Sequence, residues 1–333
     1  MSVKILRSIS ELADIAGPIV IAAGVFDGFH LGHRAVIERA IGDARAVGGT
    51  PVVLTFDPHP AAVLRPQSAP ALLTSTRHKL RLIADAGIAH ALVLDFTTEF
   101  AAQPPEIFIQ ALADACRPLR EICVGEDWAF GKDRAGNLSL LTALGKKLGF
   151  TAVALAPVSV DGKAVSSTAI RAAVENGALA DAARLLGREF GVLGTVIEGR
   201  RLGRTLGFPT ANVRPESEQL PPNGVYAVKA VKAVVAAEGT VRADPARNEK
   251  SSPPRSVVGY CGIANVGVRP TVSGEVAQRL VEVHLFDFSG DLYGCDIEVF
   301  FGRFVRPEQK FPGLDALRAQ IANDVADVRG MFA

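Results

Sequence analysis

The chain has little that would tie it to a membrane, an oxidising compartment or a polyanion. Its 333 residues carry 36 Lys+Arg against 35 Asp+Glu, a formal net charge of +1, so no global field recruits nucleic acid or an anionic membrane. Hydrophobic residues make up 48%. Even so, no uninterrupted apolar run reaches the roughly 20 residues that span a bilayer. Met1-Ser2-Val3-Lys4-Ile5-Leu6-Arg7 has neither a signal-peptide apolar core nor a cleavage site, and a cytoplasmic protein is the expectation. Cys116, Cys123, Cys261 and Cys295 form no Cys-x-x-Cys pair and read as free thiols in a reducing compartment, small core residues and no more. Length allows two domains, each with its own core.

The most informative stretch is Gly24-Val25-Phe26-Asp27-Gly28-Phe29-His30-Leu31-Gly32-His33. The apolar run Ile19-Val20-Ile21-Ala22-Ala23 ahead of it predicts a buried strand. Behind it, apolar positions three and four apart from Arg34 to Ile41 predict a helix. A strand-to-helix junction aims free backbone N–H groups and the positive helix end at one point, which suits phosphate. Gly28 and Gly32 remove side chains where a nucleotide approaches the backbone. His30 and His33 fall on nearly one face of the first turn. There, two imidazoles can donate hydrogen bonds to an α-phosphate and to the oxygen bridging it to pyrophosphate. Alone, a His-x-x-His pair is an ordinary polar feature of a helix start; the strand and the glycines favour the phosphate reading. Metal binding at the pair lacks a third Cys or carboxylate ligand at the usual zinc spacing.

Up to about residue 186, strand-like runs (Ile19–Val25, Pro51–Phe56, His90–Asp95, Glu121–Gly125, Thr151–Ala156) alternate with helix-like ones (Arg34–Val47, Thr76–Ala86, Pro105–Ala115, Leu138–Leu148). The alternation predicts a parallel sheet covered on both faces, with ligands beyond the strand C-termini. Three more stretches leave such ends or follow a turn. In Thr55-Phe56-Asp57-Pro58-His59-Pro60 the two prolines predict a loop that presents the flat faces of Phe56 and His59. In the stretch from Val124 to Asn137, Trp128 and Phe130 stand beside Lys132 and Arg134, a set that can stack a planar ring and neutralise phosphate. In Val165-Ser166-Ser167-Thr168-Ala169-Ile170-Arg171 the hydroxyls can cap a helix, and a capped helix start is itself an anion site.

After a helix from Ala178 to Arg188 the pattern changes. Short strand-like runs (Phe190–Glu198, Gly224–Lys232, Val257–Val266, Arg279–Phe286, Asp296–Val305) follow one another without helices, predicting a small antiparallel β-barrel. The expected domains are therefore 1–186 and 187–333. The polar, proline-rich stretch 237–255 predicts a long mobile hairpin loop, and Leu314–Val328 an amphipathic helix packed on the barrel. In the loop Gly199-Arg200-Arg201-Leu202-Gly203-Arg204-Thr205-Leu206-Gly207-Phe208-Pro209-Thr210-Ala211-Asn212, glycines with arginines can wrap phosphates, and Thr210 and Asn212 offer hard oxygen ligands for Mg²⁺ bridged to ATP. In Leu280–Phe288, alternation puts Glu282, His284 and Phe286 on one side of a strand, with Val281, Val283 and Leu285 on the other. Glu282 is either an exposed strand glutamate or a general base facing a cleft.

Taken together, the Gly-x-Phe-Asp-Gly-x-His-x-Gly-His stretch, Gly125…Phe130-Gly131…Gly136, Ser166-Ser167-Thr168-x-Ile170-Arg171 and Gly207-Phe208-Pro209-Thr210-Ala211-Asn212 resemble the bacterial bifunctional riboflavin kinase/FAD synthetase family in order along nearly the whole chain. Asn265–Thr271, Asp291-Leu292-Tyr293-Gly294 and Arg306-Pro307…Lys310-Phe311 complete the likeness, and the 237–255 stretch departs from it. The resemblance implies a Rossmann-like nucleotidyltransferase domain followed by a riboflavin kinase barrel with a terminal helix. It implies catalytic roles for Glu282, His30 and His33. Nucleotide contacts would fall on Gly24, Phe26, Asp27, Gly28, Gly32, Ser166, Ser167, Thr168, Arg171, Gly199, Gly203, Arg204, Gly207 and Pro209. Flavin contacts would fall on Phe56, Asp57, His59, Pro60, Asp127, Phe130, Arg269 and Arg306, and Mg²⁺ on Thr210 and Asn212. The implied substrates are ATP, riboflavin and FMN, with no nucleic-acid or membrane partner, acting on a monomer or weak homo-oligomer. An adenylyltransferase with the barrel as a flavin-binding regulatory module, or one acting on another phosphorylated metabolite, stays open at this point.

Overall fold

A computed structural model of the chain describes residues 2–199, 202–216, 219–232, 240–242, 259–269 and 278–332. Among them, residues 2–71, 76–166 and 240–242 form one compact unit, and residues 72–75, 167–232 and 259–332 form another.

The first unit runs β1 (Ser2–Leu6), β2 (Ile19–Ala23), α1 (Leu31–Ala46), β3 (Thr50–Asp57), α2 (Pro60–Leu64), α3 (Thr76–Asp85), β4 (His90–Asp95), α4 (Thr98–Ala101), α5 (Pro105–Ala115), β5 (Leu119–Gly125), α6 (Leu138–Leu148), β6 (Thr151–Leu155) and the hairpin β7 (Ser159–Val160) and β8 (Lys163–Ala164). Six strands lie parallel in the order β1-β4-β3-β2-β5-β6. The alternation of side chains along β2 feeds two cores. Ile19, Ile21 and Ala23 pack with α5 and α6 residues such as Ile109 and Leu141, whereas Val20 and Ala22 pack with Val36, Ile37 and Leu80 from α1 and α3. Both faces are thus covered, which is why the strands read as unbroken apolar runs. The chain steps from β2 to β3 and β4 on one side and returns to β5 and β6 on the other. That reversal makes the C-terminal end of β2 a topological switch point, where open α/β sheets bind ligands.

The second unit runs α7 (Ser167–Glu175), α8 (Leu179–Leu186), β9 (Gly191–Ile197), α9 (Leu202–Thr205), β10 (Ala211–Pro215), β11 (Gly224–Lys232), then, after β12 (Thr240–Arg242), β13 (Tyr260–Arg269), β14 (Gln278–Leu285), β15 (Asp296–Arg306) and α10 (Leu314–Phe332). Six antiparallel strands close a barrel in the order β10-β14-β13-β11-β15-β9. Val228, Val266, Val281, Val283 and Val299 are fully or almost fully buried. Outside the barrel, Val225, Ala227, Ile263 and Phe286 pack against Val328 of α10.

Three differences from the sequence reading stand out. The barrel has a sixth strand, β10, formed by the Ala211-Asn212 end of the motif itself, and the short helix α9 interrupts the strands before it. The stretch expected as a mobile loop contributes β12, which pairs antiparallel with β1 at the edge of the first sheet; the rest of 237–255 lies outside the described residues. β1, lying between β12 and β4, has no strand signal in the sequence, because Lys4 interrupts a run of only five residues.

Candidate active sites

The turn after β2 is built from the core outward. Gly24 N–H donates to the Leu54 carbonyl at 3.1 Å, fixing the strand end to β3. The backbone then folds back through positive φ at Phe26 (53°), Gly28 (81°) and Phe29 (43°). Such geometry in phenylalanines persists only where the surroundings over-determine it. Here both rings are buried in the core beneath α1. Asp27 and His30 are buried beside them. His30 is the N-cap of α1, its Nδ1 accepting the His33 N–H at 3.3 Å. With Nδ1 accepting, the ring carries its proton on Nε2. The two imidazoles stack, with centroids 3.5 Å apart and planes at 17°, and Phe26 meets His33 edge-on at 5.3 Å. A β-carbon at Gly32 would stand 3.2 Å from His30 Cε1, so a side chain there would push on the imidazole. Burial, then the stacked His30, then the Lys79 ammonium hold His33 well below the usual histidine range. His33 Nδ1 is buried and has no hydrogen-bond partner within the protein, an atom that a bound group would satisfy.

Phe56 and Asp57 end β3 beside this turn. His59 caps α2 by accepting the Ala61 N–H on Nδ1 at 3.0 Å, and Pro60 opens that helix rather than extending a loop. Proline suits a first helical position, whose N–H has no intrahelical partner in any case. Phe130 is buried with Trp128 stacked on it at 4.4 Å, while Asp127 is exposed. From Phe130 a file of rings runs through Phe108, Phe100 and Phe96 to Phe56, with steps of 5.5 to 6.4 Å. Ser166 closes the first unit's main segment, whereas Ser167, Thr168 and Arg171 stand on α7 in the second unit.

In the barrel, register does the assembling. Asn212 on β10 lies directly opposite Glu282 on β14, and Glu282 lies opposite Asn265 on β13. Directly opposed residues share a face, with Cβ atoms roughly 4.5–5.5 Å apart. The alternation expected for β14 is present. Val281, Val283 and Leu285 are buried, Glu282 and His284 keep partial exposure, and Phe286 is covered by α10. Asn212 is buried, and its Oδ1 has no hydrogen-bond partner within the protein. A hard, partnerless oxygen two residues after Thr210 matches what Mg²⁺ takes as ligands. The loop before β10 is drawn tight: a β-carbon at Gly203 would collide with the Phe208 carbonyl and come 3.0 Å from Thr210 Oγ1, and one at Gly199 would collide with the Asn212 amide. Gly207 turns the loop at φ +88°. Arg200 and Arg201, the Arg204 and Arg269 side chains, and Pro270-Thr271 lie outside the described residues.

Residues 13–169 match the family model described as FAD synthetase, and residues 186–332 the one described as riboflavin kinase. The bifunctional riboflavin kinase/FMN adenylyltransferase of Escherichia coli K12 is 37% identical over 330 residues, covering 99% of this chain and 98% of its own. The protein of that name from Haemophilus influenzae is 34% identical over 329 residues, covering 99% of each. The chain belongs to the bifunctional riboflavin kinase/FMN adenylyltransferase family. A crystal structure from Streptococcus pneumoniae, described as a macrolide-efflux protein, has a TM-score of 0.78 at 27% identity over 98% of this chain and 99% of its own. Among the described residues of the present family member, no helix is long and apolar enough to cross a membrane.

Within this family member, three side chains make contacts that their spacing in the sequence does not reveal. His284 Nδ1 meets the Pro209 carbonyl at 2.8 Å, and its ring meets Phe208 edge-on at 5.6 Å, so β14 steadies the Phe208-Pro209-Thr210 run from the side. Lys79 is buried on α3, although a lysine on an amphipathic helix reads as a solvent residue. Arg306, a flavin contact by resemblance, spends its donors on α10. Nε reaches both Asp324 carboxylate oxygens at 3.0 and 2.9 Å, and a terminal nitrogen reaches one at 2.8 Å. The other terminal nitrogen donates to the Pro307 carbonyl at 3.0 Å.

Proposed function

We propose that the chain makes FAD in two steps: ATP and riboflavin give FMN and ADP, and ATP and FMN give FAD and pyrophosphate. The observation that carries this reading is that the two family models tile the chain in order, with relatives alike over its full length. Phosphorylation falls to residues 187–333 and adenylylation to residues 1–186.

The two reactions ask for different equipment. Riboflavin offers a primary alcohol, a poor nucleophile until a base takes its proton. Glu282 is that base, held by the β14 ladder. Thr210 and Asn212 hold the Mg²⁺ that accompanies ATP; when bound, it offsets charge on the transferring phosphate. Gly199, Gly203, Arg204, Gly207 and Pro209 shape the loop around the nucleotide, and Arg269 and Arg306 border the flavin. FMN, by contrast, brings a phosphate that is ionised at neutral pH, its second pKa being about 6. No base is needed there, only alignment and charge stabilisation at the α-phosphorus. His30, donating from Nε2, and His33 meet the α-phosphate and the bridging oxygen. The α1 start with Gly24, Phe26, Asp27, Gly28 and Gly32 receives the nucleotide, and by the resemblance Ser166, Ser167, Thr168 and Arg171 are triphosphate contacts. Phe56, Asp57, His59, Pro60, Asp127 and Phe130 border the flavin of FMN. The chain works in the cytoplasm on these small molecules, as a monomer or weak homo-oligomer.

The test is to incubate the protein with riboflavin, ATP and Mg²⁺ and separate the flavins by chromatography. Wild type should make FMN, then FAD. Glu282→Ala should make no FMN yet adenylylate supplied FMN, and His30→Ala/His33→Ala should stop at FMN. Adenylylation of FMN with riboflavin left untouched would instead make the barrel a binding module.

A further inference from the structure

The turn that carries His30 and His33 is anchored by a residue that the reaction chemistry does not call for. Lys79 projects from α3 and is only 5% exposed. Its Nζ donates to the Val25 carbonyl at 3.1 Å, Thr55 Oγ1 at 3.0 Å and the Phe56 carbonyl at 3.2 Å, which uses all three of its protons. Thr55 Oγ1 donates in turn to the Val25 carbonyl at 3.0 Å. Val25 is the last residue before the positive-φ turn, and Phe56 stands at the end of β3. One ammonium therefore ties the start of the histidine turn to the end of the neighbouring strand. A purely structural tie has no need of a charge, and an unpaired buried charge is costly. Lys79 is charge-matched: Asp27 in the turn and Asp57 at the end of β3 both act to favour its protonated form.

Resting on the adenylyl-transfer reading of this turn, we infer that Lys79 is a positioning residue for that reaction, its ammonium holding the Val25–His33 turn and balancing Asp27 and Asp57 where two polyanions meet. It need not touch substrate. Remove the charge, and the turn loses its anchor while Asp27 and Asp57 lose the positive charge that balances them.

The charge is also titratable within reach of assay. Burial brings the ammonium down to about 8 against the upward pull of Asp27 and Asp57. His33, on α1, also feels this charge and is itself held neutral. FMN adenylylation should accordingly decline as pH rises through about 8, with no matching decline in riboflavin phosphorylation.

The experiment compares wild type, Lys79→Met and Lys79→Arg for both half-reactions from pH 6.5 to 9.5, with His30→Ala/His33→Ala alongside. Lys79→Met should lower the adenylylation kcat by about 100-fold, the scale of an ångström-sized misplacement. Its KM for ATP should move far less, and riboflavin phosphorylation should stay unchanged in the same preparation. Emission from Trp128, the one tryptophan, reports whether the first unit stays packed. Should Lys79→Met loosen it, Lys79→Arg decides: a guanidinium does not titrate in this range, so the alkaline decline should vanish. The inference is overturned if Lys79→Met keeps adenylylation within about threefold of wild type while the histidine variant is dead. It is overturned equally if the decline near pH 8 persists in Lys79→Arg. If the histidine variant retains full adenylylation, the reading of the turn fails, and Lys79 falls with it as a positioning residue.

Discussion

Asp324→Ala should weaken the barrel unit more than the loss of any surface ion pair. The Asp324 side chain is 4% exposed and that of its partner Arg306 is 18% exposed. Three contacts from Arg306 and one from Gln320 at 2.8 Å converge on the carboxylate. Truncation leaves a guanidinium in a largely water-free position with only the Pro307 carbonyl satisfied. Breaking one side of a buried pair costs about 3–5 kcal/mol. The residual solvent contact of Arg306 argues for the lower end, about 3 kcal/mol. For a unit of this size, where 1 kcal/mol moves the midpoint by roughly 2–4 °C, that is a drop of about 6–12 °C by calorimetry. Glu189→Ala, which removes the exposed partner of Lys229 (side chains 51% and 47% exposed), should stay within about 1 kcal/mol. Asp324→Ala/Arg306→Leu should recover much of the loss, because no unpaired charge remains. The reasoning is refuted if Asp324→Ala melts with Glu189→Ala, or if the double variant is the least stable of the three.

Two further outcomes follow from the same kind of accounting. Gly199→Ala drives a methyl into the Asn212 amide; riboflavin phosphorylation should fall at least about tenfold while FMN adenylylation holds, measured on one preparation. His33 is held below its unfolded value, so the unfolded chain takes up the extra proton as pH falls below 6.5. Stability should therefore be full above that pH and decline beneath it. Urea midpoints at pH 7.5 and 5 should lie further apart in wild type than in His33→Gln.

The sheet of the first unit was legible because strands buried on both faces leave continuous apolar runs between helices of clear period. β4, α5 and α6 end where the pattern ends. What escaped were elements whose pairing is supplied by a neighbour. β12 lies in a polar stretch with no strand signal of its own and becomes a strand against the open edge of β1. β10 was hidden because Asn212, Arg214 and Pro215 do not look like a strand; the ladders of β9 and β14 make it one. At the proposed sites, residue types and spacing singled out His30 and His33 beside a strand end, whereas Glu282 taken alone read equally as an exposed strand glutamate and its role as a base came from the resemblance. Spacing cannot show that a lysine of α3 bends inward to the strand ends, or that Arg306 turns to a helix 18 residues on. Both depend on contacts between segments far apart in the chain.

The row of Asn212, Glu282 and Asn265 bears on how such a chain can change over generations. These side chains face one way because three strands are zipped in one register, and a slip of a single residue would turn a partner to the opposite side. The spacing of the proposed kinase residues Asn212 and Glu282 is therefore set in whole steps of register, not by small backbone adjustments. The histidine turn is a different kind of object, a short bend held by a few rings and one ammonium. Its geometry can creep in fractions of an ångström as the packing beneath it is exchanged. The proposed kinase site thus takes its spacing from register, and the proposed adenylylation site takes its spacing from packing.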